Sequence, residues 1–334
     1  MPESLASRLV CYSDLKPCTT AFVDTRTPGS DEKENFTIIG PGVSESPDQY
    51  VHIDLPHGFN IGAARQPPGC VNSQHSHETA EVFVIHSGRW AFRLGPEAKD
   101  GEVVLEPGDT ISIPIHVFRG FENVGDVQGF MFAVLGGDDP GHVTWAPYVF
   151  EAAEAHGLVL LENGQLVDRN KGEPIPDGVG LMAPTTAEDA ARLRSMTAKE
   201  LDECVVRHAE LRPVTGSGLA GPGVRECPII GQASPVEGLP AAKLNWSHGF
   251  SLRHLAIDPG AATVQHVCSE EQVILLHRGE LTVQAPDGEL QMGAGDVISF
   301  PIGEPRRFAN RGTVPVEAYL VHRGDQPGRA PSAH

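Results

Sequence analysis

Positive charge is scarce in this 334-residue chain: 25 Lys and Arg stand against 44 Asp and Glu, a formal net charge of −19. Such a surface repels phosphate backbones and anionic lipid headgroups, so neither nucleic acid nor a membrane is an expected partner. No apolar run approaches the length that spans a bilayer, and no basic-then-apolar segment of the secretory kind follows Met1. The six cysteines, Cys11, Cys18, Cys70, Cys204, Cys227 and Cys268, form no C-x-x-C pair and no regular spacing. The expectation is therefore a cytoplasmic protein with reduced thiols. What is plentiful is glycine and proline, 37 and 28 residues, without a polar low-complexity tract. That mixture predicts many short strands joined by tight turns, and the length suggests about two domains.

The stretch from Gly69 to Gly88 carries the chemistry. It contains His75, His77 and Glu81 as His-x-His-x-x-x-Glu, followed by the apolar run EVFVIHSG. On an extended strand His75 and His77 project to the same side, and Glu81 joins them if the chain turns back. Two imidazoles and one carboxylate on one side of a divalent metal leave open positions for oxygen or substrate, as in non-haem iron sites. Each histidine alone would be unremarkable, but three metal-competent side chains within seven residues beside an apolar strand are not.

Gly69, His75, His77, Glu81 and Gly88 resemble the first signature motif of the cupin superfamily with no gap. Gly108, Pro114 and Asn123 resemble the second, with two departures. His116 stands where the family has glycine, and Arg119 stands where it has a fourth metal ligand. The resemblance implies antiparallel jelly-roll barrels, each closing over a central pocket where the family holds its metal.

The motif region lies inside an internal repeat. Ile38-Ile39-Gly40 recurs as Ile229-Ile230-Gly231, His57-Gly58-Phe59 as His248-Gly249-Phe250, and Gln74-His75 as Gln265-His266, all at an offset of 191. Beyond Gly88 and Gly279 the offset drops to 187, where GDTISIPIHVFRGFENVG at 108–125 matches GDVISFPIGEPRRFANRG at 295–312. The four missing residues fall in the hairpin between the motifs, where a loop absorbs them cheaply. Leu15-Lys16-Pro17 echoes in Leu211-Arg212-Pro213. The expected architecture is all-β, with two tandem barrels joined by a partly helical connector: a metal-binding domain over 1–145, the connector over 146–203, and a domain with a degenerate site over 204–334. In the connector PYVFEAAEAHG reads as a helix and LVLLENGQLVD as a hairpin around Asn163-Gly164. KGEPIPDGVG reads as loop, and Thr197-x-x-Glu200 as a capping box opening the helix AKELDECVV. The tail DQPGRAPSAH reads as frayed.

At the places of His75, His77 and Glu81 the second copy has His266, Cys268 and Gln272. With the anionic ligand replaced by an amide, one divalent metal per chain is expected, in the first domain only. Arg119 recurs as Arg306, and arginine repels a metal. Arg119 either grips an anionic group of the substrate or salt-bridges a nearby acid such as the one after Gly108. His116, which the second copy replaces with Gly303, is a candidate fourth ligand or acid–base group. His57 and His248 recur together and read as structural; His86 reads as a strand-end residue.

A fold of this kind hosts many chemistries, so function rests on the site. An intact first site beside a decayed second one is similar to aromatic-cleaving dioxygenases of the quercetinase and gentisate types. That resemblance implies a metal-dependent dioxygenase acting on a small aromatic or enolic substrate, with Fe(II) as the metal and Ni, Mn, Cu or Zn as alternatives. The competing readings are a non-redox metalloenzyme (isomerase, lyase or decarboxylase) and a non-catalytic small-molecule binder. The expected partner is a small molecule, anionic if Arg119 or His116 holds it, and the resemblance also implies a homo-oligomer.

Overall fold

The computed structural model describes residues 5–326, so most of the tail that reads as frayed, residues 327–334, lies outside the described residues. The strands of the first barrel are preceded by β1 (Leu9–Val10) and run as β2 (Glu34–Ile39), β3 (Val51–Ile53), β4 (Phe59–Gln66), β5 (Val71–His77), β6 (Glu81–Ser87), β7 (Trp90–Leu94), β8 (Gly101–Leu105), β9 (Thr110–Ile113), β10 (Arg119–Asn123), β11 (Gly129–Gly136) and β12 (Val143–Trp145). The connector holds α1 (Pro147–Ala155), β13 (Leu158–Leu160), β14 (Leu166–Asp168), α2 (Ala187–Arg192), α3 (Ala198–Glu203) and β15 (Val205–Val206). The second barrel is β16 (Val224–Ile230), β17 (Phe250–Ile257), β18 (Gln272–Arg278), β19 (Leu281–Ala285), β20 (Gly288–Met292), β21 (Val297–Phe300), β22 (Arg307–Ala309) and β23 (Val316–Arg323).

In the first barrel a seven-stranded sheet, β15-β9-β6-β11-β4-β2-β3, packs against a five-stranded sheet, β12-β5-β10-β7-β8. The alternation of side chains along each strand decides which residues meet between them. Trp90, Phe92 and Leu94 of β7 point inward, joining Phe121 of β10, Phe83 and Ile85 of β6 and Ile111 and Ile113 of β9 in one core. The intervening Arg93 turns outward to ion-pair with Glu102 and Glu122. The second barrel repeats the plan with a six-stranded sheet, β1-β21-β18-β23-β17-β16, and a three-stranded sheet, β20-β19-β22. The length difference between repeats lies in the hairpin that the offsets indicate. Six residues, 95–100, separate β7 from β8, and two, Pro286 and Asp287, separate β19 from β20.

The compact units do not follow the expected boundaries. One contains 16–55 and 60–208; the other joins the N-terminal residues through Leu15, residues 56–59, and the chain from Ala209 onward. The connector therefore folds with the first barrel, and Met196, Leu201 and Cys204 enter that barrel's core. Its expected helix and hairpin form, and the capping box closes with Glu200 N donating to Thr197 Oγ1 (3.3 Å) and Thr197 N to Glu200 Oε2 (2.8 Å). The helix stops at Glu203, however, because Val205 and Val206 leave it to pair with Ile111 and Thr110 of β9 as an edge strand.

The first residues do the same on the second barrel, where Leu9 and Val10 pair with Ile298 and Val297 of β21. Each arm is received by the Gly-Asp pair that opens the second motif. Asp109 Oδ1 accepts from His208 N at 2.9 Å, and Asp296 Oδ1 accepts from Tyr12 N at 2.8 Å. Gly108 and Gly295 hold φ of +90° and +92°, and a Cβ at either would come within 3 Å of the arm's ring, His208 or Tyr12. None of the six cysteines is in a disulfide. Among the described residues no helix is long and apolar enough to cross a membrane.

Candidate metal centre

His75 and His77 end β5 in the five-stranded sheet, and Glu81 begins β6 in the other, so the turn between them carries the acid across the barrel to the imidazoles. All three side chains are buried, and one ligand atom from each lies within 4.8 Å of the others. His75 Nδ1 donates to the Ser73 carbonyl at 2.7 Å, which fixes the tautomer and leaves Nε2 as a free lone pair. His77 Nε2 sits 3.6 Å from Glu81 Oε2, and its Nδ1 is buried with no hydrogen-bond partner. Burial holds both imidazoles well below their usual range, and the Arg119 guanidinium depresses them further, so both are neutral donors. Two neutral imidazoles and a carboxylate that converge, one ring with an orphaned nitrogen, fit a divalent cation.

Arg119 starts β10 directly opposite His75 and is 1% exposed. Its Nη2 donates to Glu81 Oε2 at 2.5 Å. Arg119 therefore ion-pairs with Glu81 and not with the acid after Gly108. Asp109 is engaged by Arg207 (3.1 Å) and by the arm. Burial pushes the Glu81 carboxyl up, and Arg119 opposes that shift.

His116 is not brought to this centre. It is exposed, adopts φ +59°, and its backbone N–H donates to the His77 carbonyl at 3.0 Å. Gly303 makes the same turn in the second barrel, at φ +75° with its N–H on the Cys268 carbonyl at 2.8 Å. The family's glycine thus serves a left-handed turn, which costs histidine about 1 kcal/mol or more. His116→Gly is expected to leave metal content unchanged and the melting temperature equal or higher; a loss of bound metal would restore it to the site. His57 contacts Ser299 (2.5 Å), and His86 packs between Phe130 and Phe132, in keeping with structural roles.

Several buried groups behind the ligands have no local sequence signal. Lys33 and Asp24, both 0% exposed, form an ion pair. Lys33 Nζ also donates to Asn72 Oδ1 at 2.9 Å, and Asp24 Oδ2 accepts from Ser73 N at 3.0 Å. This pair thus anchors the amide of Ser73, the residue whose carbonyl orients His75. Trp145, paired in register with His75, lays its ring 5.3 Å from the imidazole and donates Nε1–H to Glu45 Oε1 at 2.6 Å. Glu45 Oε2 accepts from Val23 N at 2.7 Å, yet burial outweighs both donors and raises its carboxyl from 4.5 to about 8.

Because the folded chain keeps a proton at Glu45 that the unfolded chain releases, its stabilisation is full below pH 4.5 and is lost as pH rises through about 8. Chemical denaturation between pH 5 and 9 should show stability falling by up to about 1.4 kcal/mol per pH unit from this group. In Glu45→Gln the slope flattens, whatever the absolute stability; an unchanged slope contradicts the assignment.

The ligands line a cavity of about 70 Å³ whose other walls are largely apolar: Phe22, Phe36, Phe83, Phe121, Leu135 and Trp145 among them. At about 10–15 Å³ for each water centre, that is room for a small organic molecule.

In the second barrel His266, Cys268 and Gln272 are buried. With an amide at Gln272 in place of the carboxylate, His266 and Cys268 are the metal-competent side chains left at these three positions. The partner of β5 is reduced there to isolated bridges, His266 to Arg306 and Ala262 to Ala309.

Comparison with known proteins agrees with this anatomy. The family model described as "Cupin domain" matches twice, over residues 63–135 and 253–322. Germin-like protein subfamily 1 member 7 of Arabidopsis thaliana is 34% identical over 88 residues, 25% of this chain, and the match spans 38% of that protein's length. The Lactobacillus farciminis oxalate decarboxylase formate complex superposes with a TM-score of 0.56 at 13% identity, covering 96% of this chain and 87% of that one. Oxalate decarboxylase from Bacillus subtilis at pH 4.6 gives 0.57 at 13% identity, covering 96% and 77%. At such identities these structures speak to the fold. They lend no support to the specific likeness to quercetinase and gentisate dioxygenases. Each barrel carries a match to the cupin-domain model, and the two together have the two-barrel fold of a bicupin.

Proposed function

We propose that the protein is a metal-dependent, non-redox enzyme, a decarboxylase, lyase or isomerase, acting on a small organic acid or enol with an apolar body. The observation that carries this reading is the convergence of His75, His77 and Glu81 in a buried cavity beside Arg119. His75, His77 and Glu81 would hold a divalent cation, which supplies Lewis-acid polarisation of a bound oxygen. With that cation present, the guanidinium and the metal outweigh the single carboxylate. Uncompensated buried charge costs several kcal/mol, so the site favours an anionic substrate. Arg119 opposes the burial that pushes the Glu81 carboxyl up, and holds one of its oxygens. The tautomer fixed at His75 keeps its free nitrogen unprotonated. Phe22, Phe36 and Trp145 exclude water and select a substrate with an apolar group. Oxalate, the substrate named for the similar folds, has none, and this cavity favours a larger, less polar acid.

The fold relatives favour this reading over a dioxygenase, which was the first expectation. Freshly purified protein should contain about one divalent metal per chain. Turnover of a panel of short carboxylic and enolic acids should proceed equally in anaerobic buffer. Turnover that needs dioxygen returns the dioxygenase reading, and ligand affinity without turnover returns the binder.

A further inference from the structure

The two barrels differ most informatively at a single charge. In the first, Arg119 faces Glu81. In the second, the arginine is retained, Arg306 at 1% exposure, and the carboxylate has become Gln272, at 0%. We propose that the interior of the second barrel binds a small monocarboxylate in place of the deleted glutamate, with Arg306 and His266 as its donors. This does not depend on metal or activity in the first barrel.

Every partner of Arg306 is neutral. Nε donates to Gln272 Oε1 at 2.8 Å, and Nη1 to the Glu304 and Pro301 carbonyls at 3.0 and 3.3 Å. Nη2 is buried with no hydrogen-bond partner. The guanidinium stacks over Phe300, 4.7 Å from its centroid. His266 pairs with Arg306 across the bridge, so the two side chains share a face, and its Nε2 is also buried with no partner.

Other groups do not supply the counter-charge. Glu226 and Glu237 lie against Arg253, at 3.0 and 3.6 Å. Burial pushes the Cys268 thiol up and keeps it neutral. That neutral thiol is also a side-chain hydrogen-bond neighbour of Arg306, whereas the carboxylates of Glu304 and Glu270 act on the guanidinium only through space. Gln272 is committed on its other side, with Nε2 2.6 Å from His322 Nε2. A buried guanidinium with one free N–H edge beside a second unpaired donor fits a carboxylate of formate or acetate size.

The test compares the full-length wild type with Gln272→Glu and Arg306→Gln in sodium acetate against sodium chloride at equal ionic strength. Calorimetric titration and melting temperature are both read. Any acetate held by the first barrel contributes alike to all three chains and cancels. Acetate is expected to stabilise the wild type by mass action. Gln272→Glu returns the internal carboxylate, with His322 changing tautomer to donate to it. It should raise the melting temperature without acetate and weaken acetate binding by about tenfold or more. Arg306→Gln should lose the acetate response as well, and if it does not fold, Gln272→Glu decides alone. No acetate response in the wild type, or an equal response in Gln272→Glu, overturns the site.

Discussion

Replacing Glu81 by glutamine should strip the metal from the protein and destabilise the first barrel together. The substitution writes the second barrel's chemistry into the first: a neutral amide cannot match a carboxylate as a ligand for a divalent cation. It also removes the counter-charge from Arg119, which is 1% exposed and has a further nitrogen, Nε, already unpartnered. Stranding one member of a buried pair costs about 3–5 kcal/mol. Gln272 accepts from Arg306 Nε in the second barrel, so an amide acceptor recovers part of that, and a loss of about 2–3 kcal/mol is expected. Metal analysis should fall from about one equivalent to near zero. Adding Arg119→Gln to Glu81→Gln should recover stability without recovering metal, which separates the two consequences. Full metal occupancy in Glu81→Gln would remove the acid from the ligand set.

The second large effect lies outside the ligands. Asp24→Asn leaves the Lys33 ammonium, 0% exposed, with no counter-charge and only neutral acceptors, Asn72 Oδ1 and the introduced amide oxygen. The expected cost is about 3–5 kcal/mol in denaturant unfolding. The same change weakens the anchor of the Ser73 peptide, and with it the orientation of His75. Metal affinity should fall by about 10–100-fold, as for other partners that orient a ligand. Lys33→Met with Asp24→Leu should regain stability while affinity stays low. Stability lost with affinity intact would make the pair purely structural.

How much of this could be read beforehand follows from where each signal lives. The triad, the repeat and the barrel strands are written in short, local patterns, and each appears as expected. Even the four-residue hairpin difference is where the offsets put it. Lys33 shows the limit. It sits in the charged run SDEKEN, which reads as a solvated loop, and only the fold reveals that its neighbours face outward while it turns inward. Glu45 and Trp145 are 100 residues apart in the chain, and nothing near either announces the other. His116 departs from the motif and so reads as added chemistry, whereas the position asks only for a left-handed turn. The connector boundary failed for a related reason. Val205 and Val206 continue a helical pattern, and the open edge of β9 outcompetes it.

That edge has an evolutionary reading. Tyr12 and His208 are 196 residues apart, and the acids that receive them, Asp296 and Asp109, are separated by 187 in the reverse sense. The segment leading into each repeat therefore seals the sheet belonging to the other. A one-repeat forebear with the same connectivity could complete its sheet only by lending its leader to a twin and borrowing one back. Duplication and fusion of such an obligate pair would turn an association that depends on concentration into one that does not, and would free one copy to lose its metal ligands while still serving its sibling as scaffold.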